Sequence, residues 1–397
     1  GFLSKTLLPD GTEIPGTNFD YNYLQHRKVD VVSSALDFIL PFEKYKITAG
    51  AKVSFTNTRN GINYDTSDPT LVQDDYFRYK EQIYALYADY SREFSERFSM
   101  QLGLRMEHTR TTGISEAKDT EDKHDYTRLF PTVYLLYSPT DGHALNFSFS
   151  NRISRPSQNM VNPFPFYQNK YTYACGREDL KPSYTYNAEL GYTLKNNFNV
   201  SAYYSYSDDV FFQVVDLDAE TNVTSFLWEN FMQTHAFGLN NSYTFRTKWL
   251  QAYAQHGVSY RRTTSSAATT SPEEKGWAYD ASLRNTFFFN EKKTLLATLS
   301  GSYSSRQYQG IYLMSPTYSV SAGMLYRLLD NKLNLSLNVN NLFVSHSKLE
   351  TMSNGLKIIA DNQFSFTSFR IGVSYTFGGD IRSKGQRNSN EDIQRRL

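Results

Sequence analysis

The chain has 397 residues, and its 41 lysines and arginines almost balance 40 aspartates and glutamates, so no basic field marks it for nucleic acid. A single cysteine, Cys175, excludes an internal disulfide framework and a cysteine-built zinc site. The longest uninterrupted apolar stretch, about Val133–Tyr137, falls far short of the roughly 20 residues that a membrane-crossing helix needs.

Aromatics are the anomaly, with 31 Tyr and 28 Phe against 3 Trp in a background of Ser, Thr and Asn. That mix favours pleated strands and the turns between them. Residues 1–26 carry scattered Gly and Pro and read as the remnant of a loop. From 27 to 377 the dominant signal is alternation of period two. It predicts fifteen strands, at about 27–42, 45–62, 78–94, 98–114, 123–138, 143–156, 183–195, 198–215, 222–246, 249–266, 276–290, 294–312, 317–329, 333–347 and 362–377. In one of them Phe98, Met100, Leu102, Leu104 and Met106 share a face, opposite Ser99, Gln101, Gly103, Arg105 and Glu107.

Seven connections are tight and built of turn-forming or charged residues: 42–45, 95–97, 139–142, 195–197, 246–248, 290–293 and 330–332. The intervening ones are mostly longer, notably 63–77, 157–182, 267–275 and 348–361. Short turns at one end, long loops at the other, and aromatics such as Phe42, Tyr45, Phe94 and Trp249 beside the short turns predict a transmembrane antiparallel up-and-down β-barrel. Such barrels place short turns in the periplasm and long loops outside, and bacterial single-chain examples have even strand numbers. About fifteen strands is odd, so an N-terminal part is expected upstream. Plugged transporters have 22 strands, which would make the first strand here the eighth.

In chain order, the acidic stretch Glu116 to Asp125 reads as a solvated loop without the ordered oxygen spacing of a calcium site. The 157–182 loop carries Phe164, Phe166, Tyr167, Tyr171 and Tyr173 among Asn and Gln, a composition suited to contacting a ligand by stacking and hydrogen bonding. The same rings would equally serve to pack the loop on its neighbours. Seven histidines are scattered without metal-ligand spacing, and no nucleophile elbow appears, so neither an enzyme nor a cofactor is expected. Residues 378–397 are polar, lack alternation and read as a mobile periplasmic tail.

The last predicted strand ends Arg370-Ile371-Gly372-Val373-Ser374-Tyr375-Thr376-Phe377. The spacing of Arg370, Gly372, Tyr375 and Phe377 resembles the terminal signal read by the outer-membrane insertion machinery. Gly176-Arg177-Glu178-Asp179-Leu180-Lys181-Pro182-Ser183-Tyr184, leading into Glu189-Leu190-Gly191-Tyr192, resembles the GNPxLKPE…ELGY segment of TonB-dependent receptors, with Arg177-Glu178 in place of Asn-Pro and Ser183 in place of Glu. Leu337-Asn338-Val339-Asn340-Asn341-Leu342-Phe343 resembles their NVxNLF motif. Asn151-Arg152-Ile153-Ser154-Arg155-Pro156 and Asn162-Pro163-Phe164 look like a divergent branch of these barrels. The resemblance covers the C-terminal barrel portion of the family. It implies a receptor-transporter in the outer membrane whose partners are membrane lipid, its own N-terminal plug domain, the TonB complex acting through that plug, and the insertion machinery. Inward residues such as Gln101, Arg105, Glu107, Asn187 and Glu189 would face plug or water. A passive porin-like channel narrowed by loops is the alternative, with an outer-membrane enzyme or adhesion scaffold behind it.

Overall fold

A computed structural model describes residues 2–4, 8–14, 19–66, 74–218, 220–362 and 366–377. The tail, 378–397, lies outside the described residues. In chain order the elements begin with β1 (Phe2–Ser4), β2 (Phe19–Pro41), β3 (Tyr45–Thr66), β4 (Asp75–Ser95), β5 (Phe98–Ser115), β6 (Thr120–Tyr137) and β7 (His143–Ser154). Next come α1 (Gln158–Val161), β8 (Phe166–Asn169), β9 (Thr172–Cys175), β10 (Ser183–Leu194), β11 (Phe198–Asp218), β12 (Val223–Arg246), β13 (Leu250–Ser265) and β14 (Glu273–Phe288). The last are β15 (Leu295–Ser304), β16 (Gln307–Gln309), β17 (Tyr312–Met314), β18 (Thr317–Leu328), β19 (Leu333–Val344), β20 (Ser347–Ser353), β21 (Leu356–Asn362) and β22 (Ser368–Tyr375).

Fifteen of these strands form one antiparallel meander, β2 through β7, β10 through β15, then β18, β19 and β22, each paired with the next. The seven short turns fall where turn chemistry predicts them. At Leu194–Asn197, for instance, Lys195 and Asn196 both have positive φ, the geometry of a two-residue hairpin turn. Among the described residues β22 pairs only with β19, and β2 only with β3 and the short β1, so the sheet is open.

Register carries the alternation from strand to strand. Leu36 stands opposite Ala51, Ala51 opposite Leu86, Leu86 opposite Met106 and Met106 opposite Leu129. At the far edge Leu337 meets Ile371. The result is one continuous belt of exposed large apolar side chains, among them Leu36, Phe38, Leu86, Leu104, Leu190, Leu239, Leu283 and Ile371. A belt of this extent is tolerable only against lipid.

The opposite face is polar. Several glycines on it leave room for the side chain directly across: a Cβ at Gly50 would lie 2.6 Å from the Tyr87 ring, one at Gly191 2.4 Å from Asn146 and one at Gly372 2.6 Å from Ser336. Strand length is uneven. β2, β3, β4 and β12 have 23, 22, 21 and 24 residues, against 8 to 12 in β15, β18, β19 and β22. About 9–11 tilted residues cross a bilayer, so the long strands project well beyond it at the long-loop end.

Five sequence expectations need correction. The first long strand begins at Phe19, so residues 19–26 are strand rather than loop. The stretch 294–312 ends as wall strand at Ser304, and the last strand starts at Ser368 instead of 362. The acidic segment is mostly strand, because β6 starts at Thr120 and runs Asp122, Lys123, His124 and Asp125 alongside β5. Finally, the two loops after β15 and β19 are structured: β16, β17, β20 and β21 make a separate four-stranded sheet. That sheet packs Ile311, Tyr312, Leu349 and Ile358 on Val214, Val215, Phe231 and Met232 of β11 and β12.

Candidate functional site

The β7–β10 loop turns back on the sheet. Its single turn α1 follows Ser157, and the β8–β9 hairpin follows Pro165. Val161, Phe164 and Leu180 bury themselves against Ile62 of β3 and Phe77 of β4. Pro165 offers its carbonyl to the hydroxyls of Tyr21 (3.2 Å) and Tyr64 (3.1 Å). On its other side β9 adds parallel to β12, Thr172–Cys175 beside Thr224–Leu227. Strands β3 and β12 stand far apart in the sheet order, so a loop that touches both must cross the polar side of the sheet.

The GREDLKP stretch supplies the staples. Arg177 bonds Asp179 (2.5 Å) and reaches Glu229 of β12 (2.9 Å), and these two carboxylates hold its guanidinium above its ordinary pKa. Glu178 accepts a hydrogen bond from Thr120 Oγ1 at 2.8 Å. Asn230 brackets Lys181, accepting from its amide (2.8 Å) and donating to its carbonyl (2.9 Å). Arg177 and Glu178, two of the three residues that depart from the resemblance, thus help bind the loop to β12 and β6. Cys175 is half-buried, donates to the Pro163 carbonyl at 3.0 Å, and burial pushes its thiol up.

Gly176 sits where the two limbs of the loop meet, its amide donating to Asn162 O (2.9 Å) and the next amide to Met160 O (2.8 Å). A Cβ there would lie 2.2 Å from Asn162 O and 2.6 Å from Met160 O, both backbone atoms. Gly176→Ala is therefore expected to cost about 2 kcal/mol by forced overpacking. Faster protease cleavage within 157–182, with the wall strands still intact, would register it.

The five aromatics divide. Phe164 is 1 % exposed and packs edge-on against Phe77 at 6.4 Å between ring centres. Phe166, Tyr167 and Tyr173 are half-buried, Phe166 lying against Tyr23, and Tyr167 between Tyr21 and Tyr173. Tyr171, at the hairpin tip, is 50 % exposed. The surface these rings offer therefore centres on Tyr171, with Tyr23 beside Phe166.

Below the loop lies a buried ionic cluster that alternation alone did not single out. Arg155, just past β7, has a side chain 9 % exposed. It donates to Glu107 Oε2 (2.6 Å) and Thr109 Oγ1 (3.1 Å) and lies 3.9 Å from Glu81. Arg105 binds the other Glu107 oxygen at 2.6 Å and stands over the Tyr87 ring, whose hydroxyl bonds Asp37. Polar contacts thus run from β2 through β5 to the root of the loop. Near the tight turns the same face holds an open groove of about 660 Å³, lined by Lys46, Glu93, Gln101, Tyr134, Asn146 and Ser148 among others. At the free edge, Gly372 faces Ser336, Arg370 stands opposite Asn338, and Tyr375 and Phe377 are exposed. Among the described residues, no cluster of three or more His, Cys, Asp or Glu is placed to hold a metal ion.

Residues 2–375 match the profile of the outer membrane protein beta-barrel family. No curated protein sequence matches the chain. Among solved structures, the copper transporter OprC is 12% identical with a TM-score of 0.63, over 89% of this chain and 58% of that one. The ferric yersiniabactin uptake receptor FyuA from Yersinia pestis is 16% identical, TM-score 0.62, over 91% and 56%. The siderophore receptor PiuA from Acinetobacter baumannii is 15% identical, TM-score 0.59, over 89% and 56%. At these identities the likeness is one of fold. The chain spans a little over half the length of each.

Proposed function

We propose a role that starts from one premise: the chain belongs to the outer membrane protein beta-barrel family and resides in the bacterial outer membrane. On that premise it is the later part of a receptor-transporter barrel, closed at 22 strands by upstream sequence, with its long loops outside. The observation that carries this reading is the folded mouth. The β7–β10 loop and the β16–β21 sheet are packed onto the polar side, as a capture surface over a guarded lumen requires. The motifs at 176–192 and 337–343 support TonB-dependent uptake, in which a plug domain fills the lumen and the inner-membrane complex supplies the energy. Fold likeness to receptors and transporters supports transport rather than catalysis.

In this reading Tyr171, with Phe166, Tyr167 and Tyr173, contacts the captured ligand, while Phe164 holds the loop in place. Arg370, Gly372 and Tyr375 on the exposed last strand, with Phe377 just past its end, are the groups the insertion machinery reads, and 378–397 extends into the periplasm. A second reading, a passive channel, draws support from the same loop, since a segment lying across the lumen would narrow a pore.

Growth of a deletion strain on single nutrient sources is expected to expose one class of ligand. Complementation with the full-length gene should restore uptake only where the TonB complex is present. Uptake that persists without that complex, together with steady conductance in planar bilayers, would favour the passive channel.

A further inference from the structure

On the lipid-facing side of β2–β6 the apolar belt ends abruptly in cations. Along β4 the outward residues read Tyr90, Ala88, Leu86, Tyr84, Gln82, Lys80 and Arg78. Lys80 lies ten residues from Tyr90, about the number of tilted strand residues that crosses a bilayer. The neighbouring strands change character at the same height, to Lys28 on β2, Arg59 on β3, Arg110 on β5 and Lys123 on β6.

Register packs these charges together. Lys28 is directly opposite Arg59, and Arg59 directly opposite Arg78. Like charges in directly opposed positions repel unless an anion lies between them. Three of the cations have one carboxylate each: Arg59 binds Asp30, Arg110 binds Asp125 at 2.8 Å and Lys123 binds Glu121 at 2.9 Å. Lys28, Arg78 and Lys80 have no acidic partner among the described residues, and Arg78 Nε is shielded without a hydrogen bond. The feature is one-sided. Further along the sheet, Tyr303 and Tyr318 are exposed at the far ends of β15 and β18, and the cations Arg262 and Lys275 are both paired to Glu273.

We propose that this face binds the phosphate groups of a lipid in the leaflet at the long-loop end, a phosphorylated glycolipid whose acyl chains lie on the belt below. Strands about 4.8 Å apart set Lys28, Arg59 and Arg78 over roughly 10 Å, enough for a headgroup with more than one phosphate. Guanidinium groups suit phosphate because they offer it paired donors. Cations at a membrane surface add attraction for anionic lipid one by one. The proposal rests on the orientation with long loops outside, which labelling of an Asn354→Cys protein on intact cells tests separately.

The test uses the full-length protein in phosphatidylethanolamine vesicles, titrated with bisphosphorylated lipid A and with its dephosphorylated form. Lys28→Gln/Arg78→Gln/Lys80→Gln is expected to weaken binding of the phosphorylated lipid on the order of a hundredfold. The charge-matched Lys292→Gln/Lys293→Gln/Lys332→Gln protein, altered at the tight turns, should bind unchanged. A gel shift between heated and unheated samples confirms that each variant is folded. Should the triple variant misfold, the unaltered protein still decides, because its binding must fall with rising salt and with loss of the phosphates. Equal affinity for both lipids, an unaffected triple variant, or full displacement by millimolar inorganic phosphate overturns the proposal.

Discussion

Replacing Arg155 by alanine is expected to lower stability by about 4 kcal/mol, the range found when one partner of a buried ion pair is removed. Glu81 and Glu107 are 5 % and 7 % exposed, and Arg155 is the cation they share. Without it Glu107 keeps Arg105, and the buried Glu81 loses a cation 3.9 Å away. Arg155→Lys should recover less than half of the loss, because one ammonium cannot meet Glu107 and Thr109, as Nη2 does, and also stand beside Glu81, as Nε does. Adding Glu107→Gln to Arg155→Ala should restore part of it by removing one of the two buried carboxylates that Arg155 serves. Urea unfolding in detergent micelles measures all three. A loss below about 1 kcal/mol in Arg155→Ala would mean that water reaches the cluster freely.

Phe164→Ala is the second large effect, expected at about 3 kcal/mol, as for an aromatic ring deleted from a packed interior. The ring fills the space between Phe77, Val161 and Leu180, and no neighbour is free to collapse into it, since Pro163 and Asn162 are also buried. Tyr171→Ala should change stability by less than about 0.5 kcal/mol, being half exposed at a hairpin tip. The pair separates the two roles assigned to the loop. If Tyr171→Ala destabilises as much as Phe164→Ala, or if Phe164→Ala leaves protease resistance of 157–182 intact, the division between packing and capture is wrong.

The wall strands were legible because two local signals agree along them. Alternation places Leu102, Leu104 and Met106 on one face, and residues such as Lys195-Asn196 mark where the chain must reverse. The loop sheet was missed although one local sign was present. Asn354-Gly355, both at positive φ, is a hairpin turn between Thr351 and Ile358, and alternation flanks it on both sides. The ending of β15 at Ser304 had no such sign, because it depends on where β14 and β18 stop offering partners. The ionic cluster was half visible. Arg105 and Glu107 read as inward from their strand, but Arg155 follows a strand end, and its path back to Glu107 is set by the loop fold. Likewise, sequence gave five aromatics in 157–182 equal standing, and only the contact with Ile62 and Phe77, about a hundred residues away in sequence, separates Phe164 from Tyr171.

Glycines on the polar face bear on how the strands find one another. A strand that slides past its neighbour by two residues still turns every apolar side chain toward lipid, so hydrophobicity cannot reject that error. Steric keying can. After such a slide Tyr87 would no longer stand over Gly50, Asn146 over Gly191, Tyr203 over Gly238 or Ser336 over Gly372, and each would press on a neighbour that has a side chain. The notches are distributed around the sheet, including its last hairpin. Proofreading of alignment is thus written into the water-facing surface, and the lipid-facing surface is free to be nearly uniform grease.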